Sequence, residues 1–575
     1  MEFNPLTIKQ FLKYLVPRYV SRAGLRCPDW PADIFAISAA LLEKSGGYTK
    51  VGTEFCPCEV SGFDDLDERN DQLDGLANQW RTKISKQLRK EAFNESSDKS
   101  RRPWKKPIEI PETVQEWWEH INRNCGLPVS SIVEERVLLA AIVNLLAVAD
   151  ECLSRVGMRI HGGESFGKSE KLFWQFCEVL LAPLGAKGST LCREIDPTRI
   201  RVLPKSQIPA GGLSVRSMSH YLAMCPPIEI PVHWHSADFR SEAIADDHCN
   251  ILLVPWPYEV APVQFQPWEN GRSLNNPDAR RFVFDHDVDE STDKKLLETV
   301  GNLLDRAQAS VGKVHMVVLP ELSITDRQHQ ALSEQIVSRD CILISGVADD
   351  FQPDGPEGKH IPRNVARTTV PAVNANGRVD YEQFKHHRWK LDSSQIVRYG
   401  LSSTLNPRFD WWEAIELYDR HINFMRPKSW LSMCVLLCED LAQFDPVGRF
   451  VRAVAPDLVI ALLMDGPQLA SRWPARYATV LADDPGSAVL TLTSLGMNAL
   501  SRKPNDLGAA VPRTIALWKD PLAGLVPIDL PSGKNSAILT VRNNQHDHEI
   551  IKWTADGRSN DYKFGTPTYG GVHFL

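Results

Sequence analysis

Apolar positions change rhythm along this chain near residue 249. Upstream they recur at three- and four-residue intervals, the spacing of one helix face, in IKQFLKYLVPRYV and PADIFAISAALLEK. The polar run DDLDERNDQLDGLANQWRTKISKQLRKEAF carries Leu66, Leu73, Leu76 and Trp80 on one side and predicts a long helix. SIVEERVLLAAIVNLLAVADECL is apolar almost all round, which predicts a central buried helix. Downstream, short β-type runs take over. ILLVPW (251–256), VHMVVLP (314–320), CILISGVA (341–348), WLSMCVLL (430–437), LVIALLM (458–464) and AVLTLTSL (488–495) predict strands. LLETVGNLLDRAQA, HQALSEQIVSRD, GRFVRAVAP and RWPARYATVLA alternate with them as amphipathic segments, and TIALW and SAILTVRN close the chain as strands.

This pattern divides the 575 residues into four parts. Residues 1–93 are read as a helical N-terminal region and 94–111 as a charged linker. Residues 112–245 form a helical and irregular connecting domain, in which 184–245, rich in Pro, Ser and His, suggest no fold. Residues 246–575 form an α/β domain. A length of 575 residues also exceeds what one hydrophobic core usually holds.

A net charge of -7 argues against wholesale nucleic-acid binding and leaves a local basic patch open. One such patch, Arg101, Arg102, Lys105 and Lys106 around Trp104, is read as a solvated linker. No apolar run approaches the roughly 20 residues that span a bilayer, and the amphipathic start lacks a signal peptide's apolar stretch. The expectation is a cytoplasmic protein without membrane contact. Twelve cysteines are scattered, with close pairs only at Cys56/Cys58 and Cys434/Cys438. Neither pair has a second pair placed to complete a zinc site, so most are expected to be reduced, buried thiols.

Chemistry concentrates at strand ends of the α/β domain. Glu321 follows VVLP directly, and a carboxylate leaving a buried strand is poorly solvated, which suits a general base. Cys438 ends the apolar strand WLSMCVLL and precedes Glu439 and Asp440. A thiol at such a mouth, near a base and backbone N–H groups that favour the thiolate, suits a nucleophile. Cys434, inside the same strand, is read as core. Asn376-Gly377 marks a turn, and the strand after it delivers Lys385 or Lys390 toward the thiol.

Glu after a strand, Lys after an Asn-Gly turn, then Cys-Glu-Asp after a strand resembles the nitrilase (carbon–nitrogen hydrolase) superfamily over residues 249–575. The segment RNVARTTVPAVNANG also looks like that family's Asn-containing strand before the lysine. The resemblance implies an αββα sandwich with Glu321 as base, Cys438 as nucleophile and Lys385, eight residues after Gly377, as the lysine; Lys390 is the alternative. It implies attack on an amide or nitrile carbon, a thioester intermediate, the Glu439 backbone N–H as an oxyanion donor, and no metal or organic cofactor. The family often places a second glutamate soon after the lysine; here LDSSQIVRYG holds Asp392 and Gln395 but no Glu. The stretch 391–429 is also long, and is read as a lid or a partner surface.

Such domains commonly self-associate, so a homo-oligomer is expected, with a regulatory or assembly role and a protein partner assigned to the N-terminal region. The competing reading is a non-catalytic nitrilase-fold subunit for assembly or binding. By analogy of architecture it would serve a bacterial antiphage system beside a reverse transcriptase. GGESFGKS (162–169) matches the P-loop pattern, but the preceding VGMRIH is a feeble strand and too little chain follows for a nucleotide-binding sheet. It is read as a glycine-rich helix start. Lys205, Arg216 and His220 are read as part of a satisfied interdomain loop.

Overall fold

The computed structural model describes every residue except 1–4, 23, 59–64, 92–96, 103, 155, 158–167, 184, 210, 226–229, 236–246, 269–277, 287–288, 352–360, 373–376, 418–419, 502–510, 544–552 and 560–566. Two large sheets organise it. Sheet A runs, in spatial order, Arg378–Phe384, Ile361–Pro371, Ile342–Phe351, Met316–Val318, His248–Leu253, Ala537–Asn543 and Pro567–Phe574, with Ile324–Thr325 paired beside Ile342–Phe351. Sheet B runs Val526–Asp529, Thr514–Lys519, Ala488–Leu492, Leu458–Leu462, Leu431–Leu437, Ile422–Lys428 and Val232–His235.

The central strands of both sheets are parallel. Parallel neighbours need crossovers. Helices Glu290–Val311 and Asp326–Val337 supply them for sheet A, and Arg449–Val454 and Trp473–Asp483 for sheet B. Side chains alternate across each strand, and this sets the layers. Ile251, Leu253, Val318 and Ile344 of sheet A meet Met433, Val435, Leu437 and Ile460 of sheet B in the central core. Leu252, Val317 and Leu343 point the other way, under Leu296, Leu304 and Leu332 of the two helices. The result is the helix–sheet–sheet–helix arrangement expected for this part of the chain.

The outer face of sheet B has a different cover. Cys434, Leu436, Val459 and Val489 share one continuous core with Phe450 and Ala478 of their crossover helices and with Trp30, Phe35, Leu146 and Phe173 of the N-terminal helices. Those helices are Ile8–Leu15, Pro31–Ser45, Leu66–Lys90, Glu112–Arg123, Arg136–Cys152 and Lys168–Leu181. Arg136–Cys152 is the central buried helix, as its all-round apolar sequence requires. The first helix stops at Leu15 because Pro17 cannot continue it; a 3₁₀ turn over Pro17–Tyr19 follows.

Residues 184–245 correct the reading that they suggest no fold. Arg201–Pro204 pairs with Leu222–Cys225, and Val232–His235 joins sheet B in parallel with Ile422–Met425, so the sheet bridges the boundary placed at residue 245. The segment read as a solvated linker packs down. Arg101 donates to the backbone oxygens of Thr190 (2.7 Å) and Cys192 (3.4 Å), and the Arg193 guanidinium lies 3.8 Å from the Trp104 ring centre. Cys56 and Cys58 form a disulfide, the exception to the expected reduced thiols; the remaining ten cysteines are free, eight of them buried. Of GGESFGKS, residues 162–167 lie outside the described residues; helix Lys168–Leu181 begins at its lysine. Among the described residues no helix is long and apolar enough to cross a membrane.

The C-terminal segment returns to the helical region through buried charge. Arg558 donates to Asp150 Oδ2 (3.1 Å), Glu151 Oε1 (2.7 Å), Asp556 Oδ2 (3.1 Å) and the Met218 backbone oxygen (2.8 Å). Asp556 also accepts from Arg69 at 2.9 Å. Burial works against the Asp556 carboxylate, but Arg558 and Arg69 outweigh it and hold its pKa below the usual carboxylate range. Truncating Arg558 leaves buried acids without their cation. We predict that Arg558→Met lowers stability by about 3–5 kcal/mol, read by urea unfolding. A loss within about 0.5 kcal/mol would refute the role given to this guanidinium.

Candidate active site

Glu321 leaves sheet A three residues after the strand Met316–Val318. Its turn is tight: Leu322, next in line, has φ 46°, a left-handed conformation uncommon for a branched residue. The backbone fits because residue 346 on the neighbouring strand is glycine. A Cβ there would stand 2.3 Å from Glu321 Cα and 2.4 Å from the Pro320 oxygen. Lys385 follows the strand Arg378–Phe384, one arm of the hairpin that turns at Gly377 (φ 70°); Asn376 lies outside the described residues. Its backbone N–H donates to the Asn364 oxygen at 2.9 Å. Cys438 opens a 3₁₀ turn at the end of Leu431–Leu437 and has φ 41°. Among the described residues, two of the four non-glycine residues with positive φ therefore flank or occupy this site, where strained backbone tends to collect.

These three sequence-predicted residues converge. Lys385 Nζ lies 2.8 Å from Glu321 Oε1 and the pair is almost wholly buried, each side chain 1% exposed. The same ammonium donates to Glu413 Oε2 at 2.6 Å. Asn364 Nδ2 bridges the two carboxylates, 2.8 Å from Glu321 Oε1 and 2.8 Å from Glu413 Oε1. The Met464 N–H donates to Glu321 Oε2 at 2.8 Å and also interacts with the Cys438 sulfur, which joins the thiol to the cluster. Lys390, the alternative lysine, is 43% exposed and paired with Asp410 at 2.7 Å; it lines the cavity beside Cys438 instead of joining these buried contacts.

Glu413 was missed by sequence reasoning. LDSSQIVRYG supplies no glutamate, and the second carboxylate on Lys385 comes from further along, on the strand Asp410–Glu413. That strand pairs in parallel with Ala279–Phe284 and antiparallel with Lys390–Leu391. The stretch 391–429, read as a lid or partner surface, thus delivers a buried carboxylate to the lysine. Asp440 was noted but given no role. It accepts from the His386 backbone N–H (3.0 Å), and its Oδ1 lies 2.8 Å from His387 Nδ1, so it pins the Cys438 turn to the lysine loop.

Burial opposes the ammonium of Lys385, yet Glu321, Glu413 and the Cys438 sulfur together hold its pKa well above the ordinary lysine value. Burial raises the Glu321 pKa, aided by Glu413 and opposed by Lys385. Burial and the Glu321 charge push the Cys438 thiol well up, against Lys385 and the Met464 N–H. These surroundings work against the thiolate that the sequence reading expects them to favour.

The site opens on a cavity of about 550 Å³ lined by Cys438, with aromatic walls from Trp389, Tyr399, Trp473 and Tyr477. Asp465 lines it too. The Tyr399 hydroxyl donates to Asp465 Oδ1 at 2.9 Å and Arg472 donates to the same oxygen, whereas buried Oδ2 has no hydrogen-bond partner among the described residues. Glu439 is a wall residue whose carboxylate accepts from Gln443 at 2.8 Å. Its N–H lies in the first turn after the strand, where helical N–H groups lack an internal acceptor.

No protein-family model matches the chain, and no curated protein matches it. Solved structures similar to it belong to the nitrilase superfamily and cover about half of it. Nit3 of Saccharomyces cerevisiae, from branch 10 of that superfamily, shares 12% identity at a TM-score of 0.31, over 52% of this chain and 92% of that one. The C. elegans NitFhit protein shares 11% at 0.30, over 51% and 61%. A carbon–nitrogen hydrolase from Helicobacter pylori shares 12% at 0.28, over 49% and 85%.

Two measurements test this geometry. Gly346→Ala forces the Glu321 turn aside and is expected to cost about 1–3 kcal/mol in urea unfolding; an unchanged midpoint contradicts the close approach. Because the Cys438 pKa is raised, its thiolate fraction still climbs above neutrality. Labelling of Cys438 by iodoacetamide should rise about tenfold per pH unit between about pH 7 and 9. A plateau below about pH 8 is incompatible with the thiol described.

Proposed function

We propose that this protein is a carbon–nitrogen hydrolase of the amidase type, with Cys438 as nucleophile, Glu321 as general base and acid, and Lys385 as the cation that stabilises the tetrahedral intermediates. The observation that carries this reading is the buried Lys385 ammonium, held between Glu321 and Glu413 beside the Cys438 thiol.

The chemistry follows from the resting protonation states. Glu321 takes the thiol proton as the sulfur attacks the carbonyl carbon, so the thiolate forms only when an electrophile is present. Negative charge then develops on the carbonyl oxygen. The Lys385 ammonium and the Glu439 N–H are the donors available to it. The carbon–nitrogen bond breaks, the nitrogen takes the proton from Glu321, and ammonia or an amine leaves a thioester on Cys438. Glu321 next takes a proton from water, which attacks the thioester, and the carboxylic acid departs as the thiol is restored. Glu413 and Asn364 are positioning residues that keep the lysine charged and aimed.

The test is ammonia release from a panel of primary carboxamides with aromatic and aliphatic acyl groups. Hydroxylamine is added to trap the acyl-enzyme as a hydroxamate. Cys438→Ala and Glu321→Gln should each lower kcat/KM by about 10³ or more, with Lys390→Ala within a few-fold of wild type. Turnover that survives Cys438→Ala, or no hydroxamate from an active panel member, would sink the mechanism.

A further inference from the structure

A second cavity, of about 820 Å³, lies away from Cys438 where three parts of the chain meet: the N-terminal helices, the connecting segment and the residues that follow the nucleophile turn. Six cations line it, Lys44, Arg199, Lys205, Arg216, Arg449 and Arg452, against one carboxylate, Glu43. The whole chain has 65 basic and 72 acidic residues, so a lining drawn at random would be close to balanced. Burial also pushes the Glu43 carboxyl up, which weakens the single opposing charge.

The cations divide into two kinds. Lys205 and Arg216 hold the walls together. Lys205 is buried and donates to the backbone oxygen (2.5 Å) and hydroxyl (3.0 Å) of Ser219 and to the Arg216 backbone oxygen. Arg216 grips Asp484 with both terminal nitrogens, at 2.7 and 3.0 Å, and reaches the Arg452 backbone oxygen at 3.3 Å. The satisfied loop expected around these residues is therefore present, and it is also a cavity wall. Lys44, Arg199 and Arg452 instead form no ion pair among the described residues. Arg449, paired with Asp445, and Arg452 stack beside Phe444, their guanidinium carbons 5.5 and 5.1 Å from its ring centre. Arg199 lies 5.6 Å from the Tyr14 ring. The guanidiniums are thus propped on aromatic faces with donors left over. Leu15, Phe35 and Met224 add an apolar floor.

Forked guanidinium donors match phosphoryl oxygens, and several separate cations around an apolar floor suit an anion that carries an apolar or planar body. We propose that this cavity binds a phosphorylated small molecule of the nucleotide class, independently of the hydrolase site. Its walls include Phe444, Arg449 and Arg452, which follow the Cys438–Leu441 turn directly, so an occupant would brace the segment behind the nucleophile against the helical region.

Calorimetric titration of the full chain with ATP, and separately with inorganic pyrophosphate, tests the proposal. ATP should bind saturably and more tightly than pyrophosphate. Arg452→Glu and Lys44→Glu should each weaken it by about tenfold or more, and Lys168→Ala, in GGESFGKS, should leave it unchanged. Thermal melts confirm that each variant is folded, and Arg199→Ala replaces either reversal that does not melt cooperatively. No saturable binding of either probe up to about 1 mM overturns the proposal. So does ATP binding that survives the charge reversals or is lost in Lys168→Ala, and so does pyrophosphate binding as tight as ATP.

Discussion

An ammonium removed from water persists only where anions are fixed around it, and Lys385 is such an ammonium. Taking it out of solvent costs several kcal/mol unless partner geometry offsets the loss. Much of the local architecture fixes that geometry. Glu321 is set by a left-handed turn packed on Gly346, and Glu413 by a small four-stranded sheet. Asn364 ties the two carboxylates, and Asp440 ties the lysine loop to the Cys438 turn. The same arrangement bears on Cys438: burial and the Glu321 charge, one of the anions that keep the lysine charged, also disfavour a thiolate.

Much of this was legible in local sequence. The runs VHMVVLP, WLSMCVLL, LVIALLM and AVLTLTSL became strands within a few residues of their expected limits, because a β strand buried on both faces must be apolar throughout. Glu321 and Cys438 stood out for a related reason: a polar residue directly after such a run must sit at the strand's mouth. The turn at Gly377 pointed to Lys385 or Lys390 and the family resemblance to Lys385; the structure puts Lys385 in the buried cluster and Lys390 in a half-exposed pair with Asp410.

What stayed illegible was non-local. Glu413 sits in FDWWEAIELYD, a stretch that reads as neither clear strand nor helix; only pairing with Ala279–Phe284 makes it a strand and turns the carboxylate inward. Gly346 looks like any glycine in an apolar run until the Glu321 backbone is placed against it. Val232–His235, with its alternating polar residues, gave no sign of joining a sheet whose next strand begins at Ile422. The cation-lined cavity is a product of three distant segments; 199–225 carries four basic residues and no acidic one, but only the fold brings Lys44, Arg449 and Arg452 to it.

Shared cores of this kind govern the order in which a chain can mature. Among the described residues Val232–His235 has no strand partner until Ile422–Met425 exists, and buried Arg69 meets its carboxylate partner 487 residues later, at Asp556. During synthesis the N-terminal helices therefore emerge with an apolar flank and a guanidinium that has Asn144 but not yet its carboxylate. They must be kept from premature contacts until the last strands arrive, because loop closure over such distances delays the native pairings. The helical region and the two-sheet layers are thus successive in sequence but interdependent in folding.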